Sequence, residues 1–290
     1  MGQTQRMTGP HRLLVFGLGY SGAAIAARAV AQGWQVAGTS RDPAGIRAPA
    51  GVQVVAFDHA GSVLAEATHV VATAPPGAAG DPVLAAHRAS IAVAPLLRWA
   101  GYVSTTGVYG DRGGAWVDEA TVPAPGSERT ERRVAAERDW ATLAGRVALD
   151  VFRVAGIYGP GRSALEDVRA GTARRVIKPG HLFGRIHRDD IALAVLAAAG
   201  QERPPGRRVL NLVDDEPAES AAVIEEAARL LGVPVPPSVP YEQIVAAMSP
   251  MARSFWAENR RVANATTKAA LGIAWLYPTY REGLRAILAG

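Results

Sequence analysis

The chain has 290 residues, of which 49% are hydrophobic and 20% charged, so it can bury a large core as one α/β domain or as two smaller lobes. It contains no cysteine, which excludes disulfides, zinc–thiolate sites and a thiol nucleophile, and no metal site is expected. The net charge is +5, but the arginines are scattered among acidic residues and form no stripe with aromatic residues, so a nucleic-acid partner is not favoured.

The hydropathy pattern gives no sign of a membrane protein. No apolar run reaches the roughly 18 residues that a membrane span needs, and the first residues, MGQTQRMTGPHR, contain no apolar segment typical of a signal peptide. The absence of disulfides is compatible with a reducing compartment. We therefore expect a cytoplasmic protein that has no membrane partner.

The first 150 residues alternate short apolar strands with alanine-rich helices, which predicts a parallel sheet covered by helices on both faces. The predicted strands are residues 13–17, 34–40, 52–58, 69–76, 101–106 and 147–156. The predicted helices are residues 21–33, 82–100 and the strongly charged 127–140. Pro95 is expected to kink or split the second of these helices.

The pattern becomes less regular after residue 156. Helices are predicted over residues 189–200 and 218–232, a strand over residues 207–213, and an extended proline-rich linker over residues 233–240. We interpret this second part of the chain as a smaller lobe that closes over the carboxyl edge of the sheet.

The segment FGLGYSG contains the glycine pattern Gly17-x-Gly19-x-x-Gly22, directly after the first strand and at the start of the first helix. In this context Gly17 permits a tight turn, Gly19 lets the backbone approach a pyrophosphate, and Gly22 allows close packing of helix on strand. The helix N-terminus adds unpaired N–H groups for the phosphates. The alternative is a merely tight strand–helix turn. The predicted dinucleotide site consists of Gly17, Gly19, Tyr20, Ser21 and Gly22 with Thr73, Ala74 and Pro75 after the fourth strand.

The end of the second strand indicates which nucleotide is bound. An NAD site usually has an acidic residue here, whereas this chain has Ser40 and Arg41. A guanidinium binds phosphate oxygens in a forked arrangement, and a serine hydroxyl can donate another hydrogen bond, so the pair predicts NADP(H). The alternatives are a solvated Arg41 and a helix-capping Ser40. Asp58, after the third strand, could contact the adenine amino group or could equally be a helix cap.

Seven motifs follow one another along the chain, namely FGLGYSG, STTGVYG (104–110), WVDE (116–119), IYGPG (157–161), RIHRDDIALAV (185–195), NATTKAALG (264–272) and YPTYREGL (277–284). Together they resemble the extended and atypical short-chain dehydrogenase/reductases of the NAD(P)-dependent epimerase/dehydratase superfamily. GLGYSG in place of the commoner TGxxGxxG, with the APP loop after strand four, looks most like an atypical subgroup. The resemblance covers nearly the whole chain and implies a Rossmann-type, doubly wound α/β fold with a smaller C-terminal substrate lobe.

With this fold, the expected organisation is an N-terminal tail over residues 1–10, a dinucleotide-binding domain over 11–157 and a substrate lobe over 158–290. Strands and helices of about 186–213 are expected to return to the first domain. The sequence leaves open whether the protein is a monomer or a homodimer.

The resemblance also implies a catalytic set, and part of that set is absent from this chain. The family uses a Ser or Thr after the fifth strand, which Thr105 matches, and a Tyr-x-x-x-Lys pair followed by a Glu four residues after the Lys. If Glu137 is that Glu, Arg133 stands at the Lys position and Arg129 at the Tyr position. Arg133 could still bind a ribose or a phosphate, but a guanidinium does not act as a general acid at neutral pH.

Another proton source is then needed for hydride transfer. Tyr109, Tyr158, His187, a water molecule and the substrate itself are the options, although wall packing of both tyrosines and a structural role of His187 stay open. Arg162 and Arg185 are candidates to bind an acidic or phosphate-bearing substrate, or could face solvent. Phe183 and Trp116 could flank the cleft or belong to the core.

These observations favour an NADP(H)-dependent oxidoreductase or epimerase that acts on a small polar substrate by hydride transfer without the usual Tyr–Lys pair. Thr105 would bind the reacting oxygen, and the arginines would supply positive charge to the cofactor or to the developing alkoxide. The alternative is a non-catalytic NADP(H)-binding sensor or a module that binds a protein partner.

Overall fold

The computed structural model describes residues 10–290, so the predicted tail lies, apart from Pro10, outside the described residues. The strands are β1 (Arg12–Phe16), β2 (Gln35–Ser40), β3 (Val52–Ala56), β4 (His69–Ala72), β5 (Trp99–Thr105), β6 (Trp116–Val117), β7 (Ala148–Val154), β8 (Gly156–Tyr158), β9 (Arg175–Ile177), β10 (Arg185–His187), β11 (Gly206–Leu212), β12 (Ser238–Pro240) and β13 (Arg261–Val262). The α-helices are α1 (Tyr20–Ala31), α2 (Gly61–Glu66), α3 (Pro82–Val93), α4 (Glu128–Ala141), α5 (Ala164–Arg169), α6 (Arg188–Ala199), α7 (Ser220–Leu231), α8 (Tyr241–Ile244), α9 (Pro250–Ala257), α10 (Ala265–Leu271) and α11 (Tyr280–Ala289).

Seven strands form one parallel sheet in the order β11-β7-β5-β4-β1-β2-β3. The order reverses between β1 and β4, which is the point where doubly wound sheets bind their ligands. The strands in the middle of this sheet are buried along nearly their whole length, because helices cover both faces. The fold is therefore the Rossmann-type parallel sheet that the alternating pattern predicts.

Side chains of successive strand residues enter different cores on the two faces of the sheet. Leu13 and Val15 of β1 pack with α1 and α6, whereas Leu14 and Phe16 pack with α3 and α4. The covering helices contribute mainly alanine and branched aliphatic residues, which permit close approach to the sheet. The segment of α6 and β11 belongs to this layered structure, since α6 contacts α1 and β11 pairs with β7.

A smaller core lies where α5, α7 and α11 meet. It contains Tyr158, Leu165, Val223, Tyr280 and Leu284. Three two-stranded pairs, β8 with β10, β9 with β12 and β6 with β13, connect the remaining segments, and all three are parallel. Of these elements, β8, β10, β13 and α7 contribute residues to the lining of the cleft described below.

The predicted helix over residues 82–100 is wrong beyond Val93. The helix α3 ends there, Ala94 is its C-cap, and Trp99 already begins β5. Pro95 disfavours a helical conformation of the residue before it and has no N–H group to continue the helix, so the chain leaves the helix at this point. The predicted charged helix over residues 127–140 is confirmed as α4, which begins and ends one residue later, at Glu128 and Ala141, with Ser127 as its N-cap. Within residues 10–290, no helix is long and apolar enough to cross a membrane.

Candidate active site

Two threonines fix the glycine turn that follows β1. Gly17 has a φ of +98°, a conformation that side chains with a Cβ rarely adopt. Its N–H donates to Thr39 Oγ1 at 3.1 Å, and its carbonyl oxygen accepts from Thr73 Oγ1 at 2.7 Å. Thr73 therefore supports the turn from β4, in addition to lining the cleft.

Gly19 and Gly22 have opposite steric surroundings. A Cβ at Gly22 would lie 1.9 Å from the carbonyl oxygen of Gly17, so the helix could not pack this closely with any other residue. A Cβ at Gly19 would meet nothing within 4 Å. Gly19 is also the N-cap of α1 and provides no side chain to its first N–H groups. Open space in front of uncapped N–H groups fits a pyrophosphate.

The other predicted cofactor residues follow β2, β3 and β4 at the same edge of the sheet. The Ser40 hydroxyl donates to Asp42 O at 2.9 Å and accepts from Asp42 N–H at 3.1 Å, so it stabilises the loop instead of offering a free donor. Arg41 is exposed, and among residues 10–290 its side chain has no hydrogen-bond partner. Asp58 is exposed in a short 3₁₀-helix, and Pro75 is exposed after β4, next to the half-buried Ala74.

A cleft of about 630 Å³ opens beside this turn, over the carboxyl ends of β1, β5 and β7. Its lining combines the glycine turn, the end of β5, one face of α4 and segments of the second half of the chain. The lining residues that carry a side chain of interest are Tyr20, Ser21, Thr73, Ser104, Thr105, Thr106, Arg129, Arg133, Arg162, Phe183, Arg185, Ser220, Phe255, Trp256, Glu258 and Arg260. The structure thus brings Thr105, Arg129 and Arg133 together with the predicted pyrophosphate turn.

The charged helix α4 divides its charges between the cleft and the solvent. It begins with a capping box in which the side chains of Ser127 and Thr130 each accept the backbone N–H of the other. Arg129 and Arg133, four residues apart, line the cleft, while Glu128 and Arg132 form an exposed ion pair on the outer side. Glu137 turns inward and is 3% exposed.

Arg133 is held against the end of β5. Its Nη1 donates to Val103 O at 2.7 Å and to the Tyr102 hydroxyl at 3.3 Å. Arg129 is half-buried, and its guanidinium carbon lies 4.9 Å from the centre of the Phe255 ring. Burial and then the positive charge of Arg133 lower the pKa of Arg129. A guanidinium nevertheless keeps its proton in proteins, so Arg129 brings a positive charge to the cleft.

Thr105 presents its hydroxyl at the end of β5. Its Oγ1 accepts the N–H of Gly107 at 3.1 Å and leaves the O–H free to donate into the cleft. The neighbouring Ser104 donates to Glu137 Oε1 at 2.7 Å. Glu137 in turn accepts two hydrogen bonds from Arg153, with Nη2 at 2.8 Å, so a buried ion pair lies directly behind the cleft wall.

Tyr109 and His187 lie outside the cleft, which corrects their prediction as a substitute acid and a substrate contact. Tyr109 is fully buried, and its hydroxyl donates to Asn211 Oδ1 at 2.7 Å. His187 is 1% exposed, caps α6 by accepting the N–H of Asp189, and has its pKa lowered by burial. Both side chains are buried by contacts with other segments of the fold. The local sequence around each residue does not reveal this burial.

A second cavity of about 420 Å³ adjoins the cleft and shares Arg162, Arg185 and Ser220 with it. Tyr158 forms part of its wall, and its hydroxyl donates to Thr279 O at 3.4 Å, while burial raises its pKa. Arg185 donates to the carbonyl oxygens of Phe183 and Ala218. The predicted substrate residues other than His187 are therefore distributed over two connected spaces.

Sequence reasoning missed the part of the site that comes from α9 and the residues after it. Phe255, Trp256, Glu258 and Arg260 line the cleft. The one available signal is the adjacent Phe–Trp pair in a short, otherwise polar segment, SFWAENRR. Trp116, in contrast, is 58% exposed and does not line the cleft.

No family model matches the chain. Among solved structures, a functionally unknown conserved protein from Silicibacter pomeroyi DSS is 44% identical with a TM-score of 0.88, covering 96% of this chain and 98% of that one. A protein from Methylobacillus flagellatus assigned as an NAD-dependent epimerase/dehydratase is 25% identical with a TM-score of 0.73, covering 97% and 98%. Human epimerase family protein SDR39U1, solved with NADPH, is 20% identical with a TM-score of 0.76, covering 96% and 99%, and shows the fold alone.

A curated relative, 3-diazoavenalumate denitrifying reductase from a Streptomyces species, is 31% identical over 175 residues. The match covers 56% of this chain and 54% of the relative, so it spans about half the length of that protein. The shared fold and the glycine turn at its switch point agree with the resemblance carried by the sequence motifs. The chain is similar to an NAD-dependent epimerase/dehydratase and, over about half its length, to a reductase.

Proposed function

We propose that this protein is an NADP(H)-dependent oxidoreductase that transfers hydride to a small anionic substrate without a Tyr–Lys pair. The observation that carries the proposal is one cleft that contains both the open glycine turn and the set of Thr105, Arg129 and Arg133. Substrate binding is assigned to the lobe over residues 158–290, which supplies the opposite wall.

The cofactor assignment depends on residues at the carboxyl ends of β1 and β2. Gly17, Gly19 and Gly22 would hold the pyrophosphate against the N-terminus of α1, and the exposed Arg41 would bind the 2′-phosphate of the adenosine ribose. Since Ser40 is bound to Asp42, Arg41 would carry most of the preference for NADP(H) over NAD(H). When bound, the cofactor supplies the hydride.

The residues of the cleft favour electrostatic stabilisation over proton donation by a tyrosine. Within residues 10–290, Tyr20 is the one tyrosine that lines the cleft, and its hydroxyl donates to Pro160 O at 3.0 Å. Thr105 would donate its free O–H to the oxygen or nitrogen that receives negative charge, and Arg133 at the same strand end would stabilise that charge. Arg129 would bind the anionic group of the substrate. The proton would then come from water. The reductase name of the curated relative supports a reduction.

Two measurements test the proposal. The first is NADPH and NADH binding by fluorescence titration of the wild type, Arg41→Glu and Arg138→Glu, the last being an exposed arginine of α4 outside the cleft. We expect Arg41→Glu to weaken NADPH binding by about 10- to 100-fold, which corresponds to the loss of a charge-assisted hydrogen bond, and to leave NADH unchanged. Arg138→Glu should have no effect. Unchanged NADPH affinity of Arg41→Glu would show that the 2′-phosphate assignment is wrong.

The second measurement is NADPH oxidation with a panel of aldehydes, ketones and conjugated acids. We expect turnover that Arg129→Met lowers by up to about 100-fold, because a hydrogen bond between the arginine and an anionic substrate contributes about 1.5–3 kcal/mol. Tight NADPH binding without turnover of any compound would instead support the non-catalytic sensor.

A further inference from the structure

Three aromatic side chains, Phe183, Phe255 and Trp256, line the cleft and are called its aromatic wall. Phe183 and Trp256 are in edge contact, with ring centres 4.9 Å apart at 83°, and Phe255 precedes Trp256 on α9. Trp256 is additionally stacked against His181, with ring centres 5.4 Å apart at 25°. The indole is thus fixed in orientation by its neighbours, as a rigid binding surface requires.

Phe255 is not used for core packing. It is 46% exposed although it lines a concave cleft, and its ring faces the guanidinium of Arg129. An exposed aromatic ring beside a cation is a binding element that is available to a ligand. The apolar lining continues around it with Val154, Ile157, Leu182 and Val262.

The charge of the same cleft is unbalanced. Five arginines line it, namely Arg129, Arg133, Arg162, Arg185 and Arg260. Glu258 is the one carboxylate of the lining within the described range, and it is already paired with Arg260 at 2.7 Å. Arg129 has no ion-pair partner among the described residues, and its lowered pKa reflects burial beside a second cation. A ligand with a negative group would neutralise this excess.

From this combination we propose that the substrate is a planar aromatic carboxylic acid, with its ring on the Phe255–Trp256 wall and its carboxylate on Arg129. This inference rests on the proposed function, because it assigns the substrate class of the same site. A planar carboxylate matches the forked donors of a guanidinium, and an aromatic ring can pack against Phe255, which is exposed in the cleft beside Arg129. A sugar would leave many hydroxyl groups opposite apolar side chains, where they find no hydrogen-bond partners.

Equilibrium binding tests the proposal independently of turnover. The full-length protein is saturated with NADP⁺, which cannot donate hydride, and titrated calorimetrically with trans-cinnamate, the neutral trans-cinnamamide and UDP-glucose. We expect cinnamate to bind at least ten-fold more tightly than cinnamamide and UDP-glucose. Equal affinity for cinnamate and cinnamamide, or preferential binding of UDP-glucose, would overturn the proposal.

Variants of one helix locate the binding surface. Phe255→Ala and Trp256→Ala should each weaken cinnamate binding at least five-fold, and Phe255→Leu should retain part of it. Met251→Ala, which changes an exposed residue of the same helix outside the cleft, should leave it unchanged. Unaltered cinnamate affinity in Phe255→Ala and Trp256→Ala would refute the aromatic wall. Since NADP⁺ affinity and NADPH oxidation are measured separately, failure of the proposed function would be seen without affecting this result.

Discussion

The charged helix α4 offers a direct test of how burial changes the contribution of a glutamate to the unfolding free energy. Glu137 and Glu128 lie on the same helix and each forms an ion pair with an arginine, but Glu137 and Arg153 are each 3% exposed, whereas Glu128 is 78% exposed. Glu137 also accepts from Ser104 and lies 3.3 Å from Arg207 Nη2. We compare Glu137→Gln with Glu128→Gln.

The expected magnitudes differ by about ten-fold. Glu137→Gln keeps the size of the side chain but leaves the Arg153 guanidinium buried without its counter-charge, and Nη1 of Arg153 already has no partner within residues 10–290. Breaking a buried pair in this way costs about 3–5 kcal/mol of unfolding free energy. Glu128→Gln removes an exposed pair, which contributes about 0.3–0.5 kcal/mol. Stability of a domain is only about 5–15 kcal/mol, so the first change is severe.

Urea denaturation followed by circular dichroism measures both variants under identical conditions. The midpoint of Glu137→Gln should fall strongly at an unchanged slope, and that of Glu128→Gln should stay close to the wild type. A loss below about 1 kcal/mol for Glu137→Gln, or equal losses for both variants, would refute the argument that the pair behind the cleft is desolvated.

Two further predictions concern the glycine turn and a buried acid. Gly19→Ala should retain the wild-type thermal midpoint but lose most NADPH affinity, because its Cβ would enter open space that the pyrophosphate would occupy. Gly22→Ala should lower the thermal midpoint, because its Cβ would lie 1.9 Å from Gly17 O. Similar midpoints for the two variants would contradict this prediction. Burial raises the pKa of Asp214 to about 8, and neither carboxylate oxygen has a hydrogen-bond partner within residues 10–290. In the folded state Asp214 keeps its proton up to about pH 8, whereas in the unfolded state the carboxyl group loses its proton near pH 4. The contribution of protonated Asp214 to the unfolding free energy is therefore fully present below about pH 4 and is lost as the pH rises from about 4 to about 8. The difference in unfolding free energy between Asp214→Asn and the wild type should shift in favour of the variant by up to about 1.4 kcal/mol per pH unit between about pH 4 and pH 8. A difference that does not change with pH would contradict the raised pKa of Asp214.

Local patterns in the sequence were sufficient for the fold and for half of the site. The alternation of apolar strands and alanine-rich helices determines a parallel sheet, and the glycine spacing after the first strand determines the turn of Gly17 to Gly22. Arg129 and Arg133 were placed on one face of α4 by their spacing alone. These features depend on residues within one or two turns of each other, so sequence order specifies them.

Tertiary structure alone decided which side chains reach the cleft. Tyr109 and His187 look like chemical groups in the sequence, yet packing against Asn211 and the start of α6 removes them from the site. Phe255 belongs to a Phe–Trp pair whose place in the fold the sequence does not reveal, and the fold of the second half of the chain brings it to Arg129. Contacts between segments this far apart depend on how helices and strands pack in three dimensions, and neither hydrophobic periodicity nor turn chemistry encodes that packing within a local window.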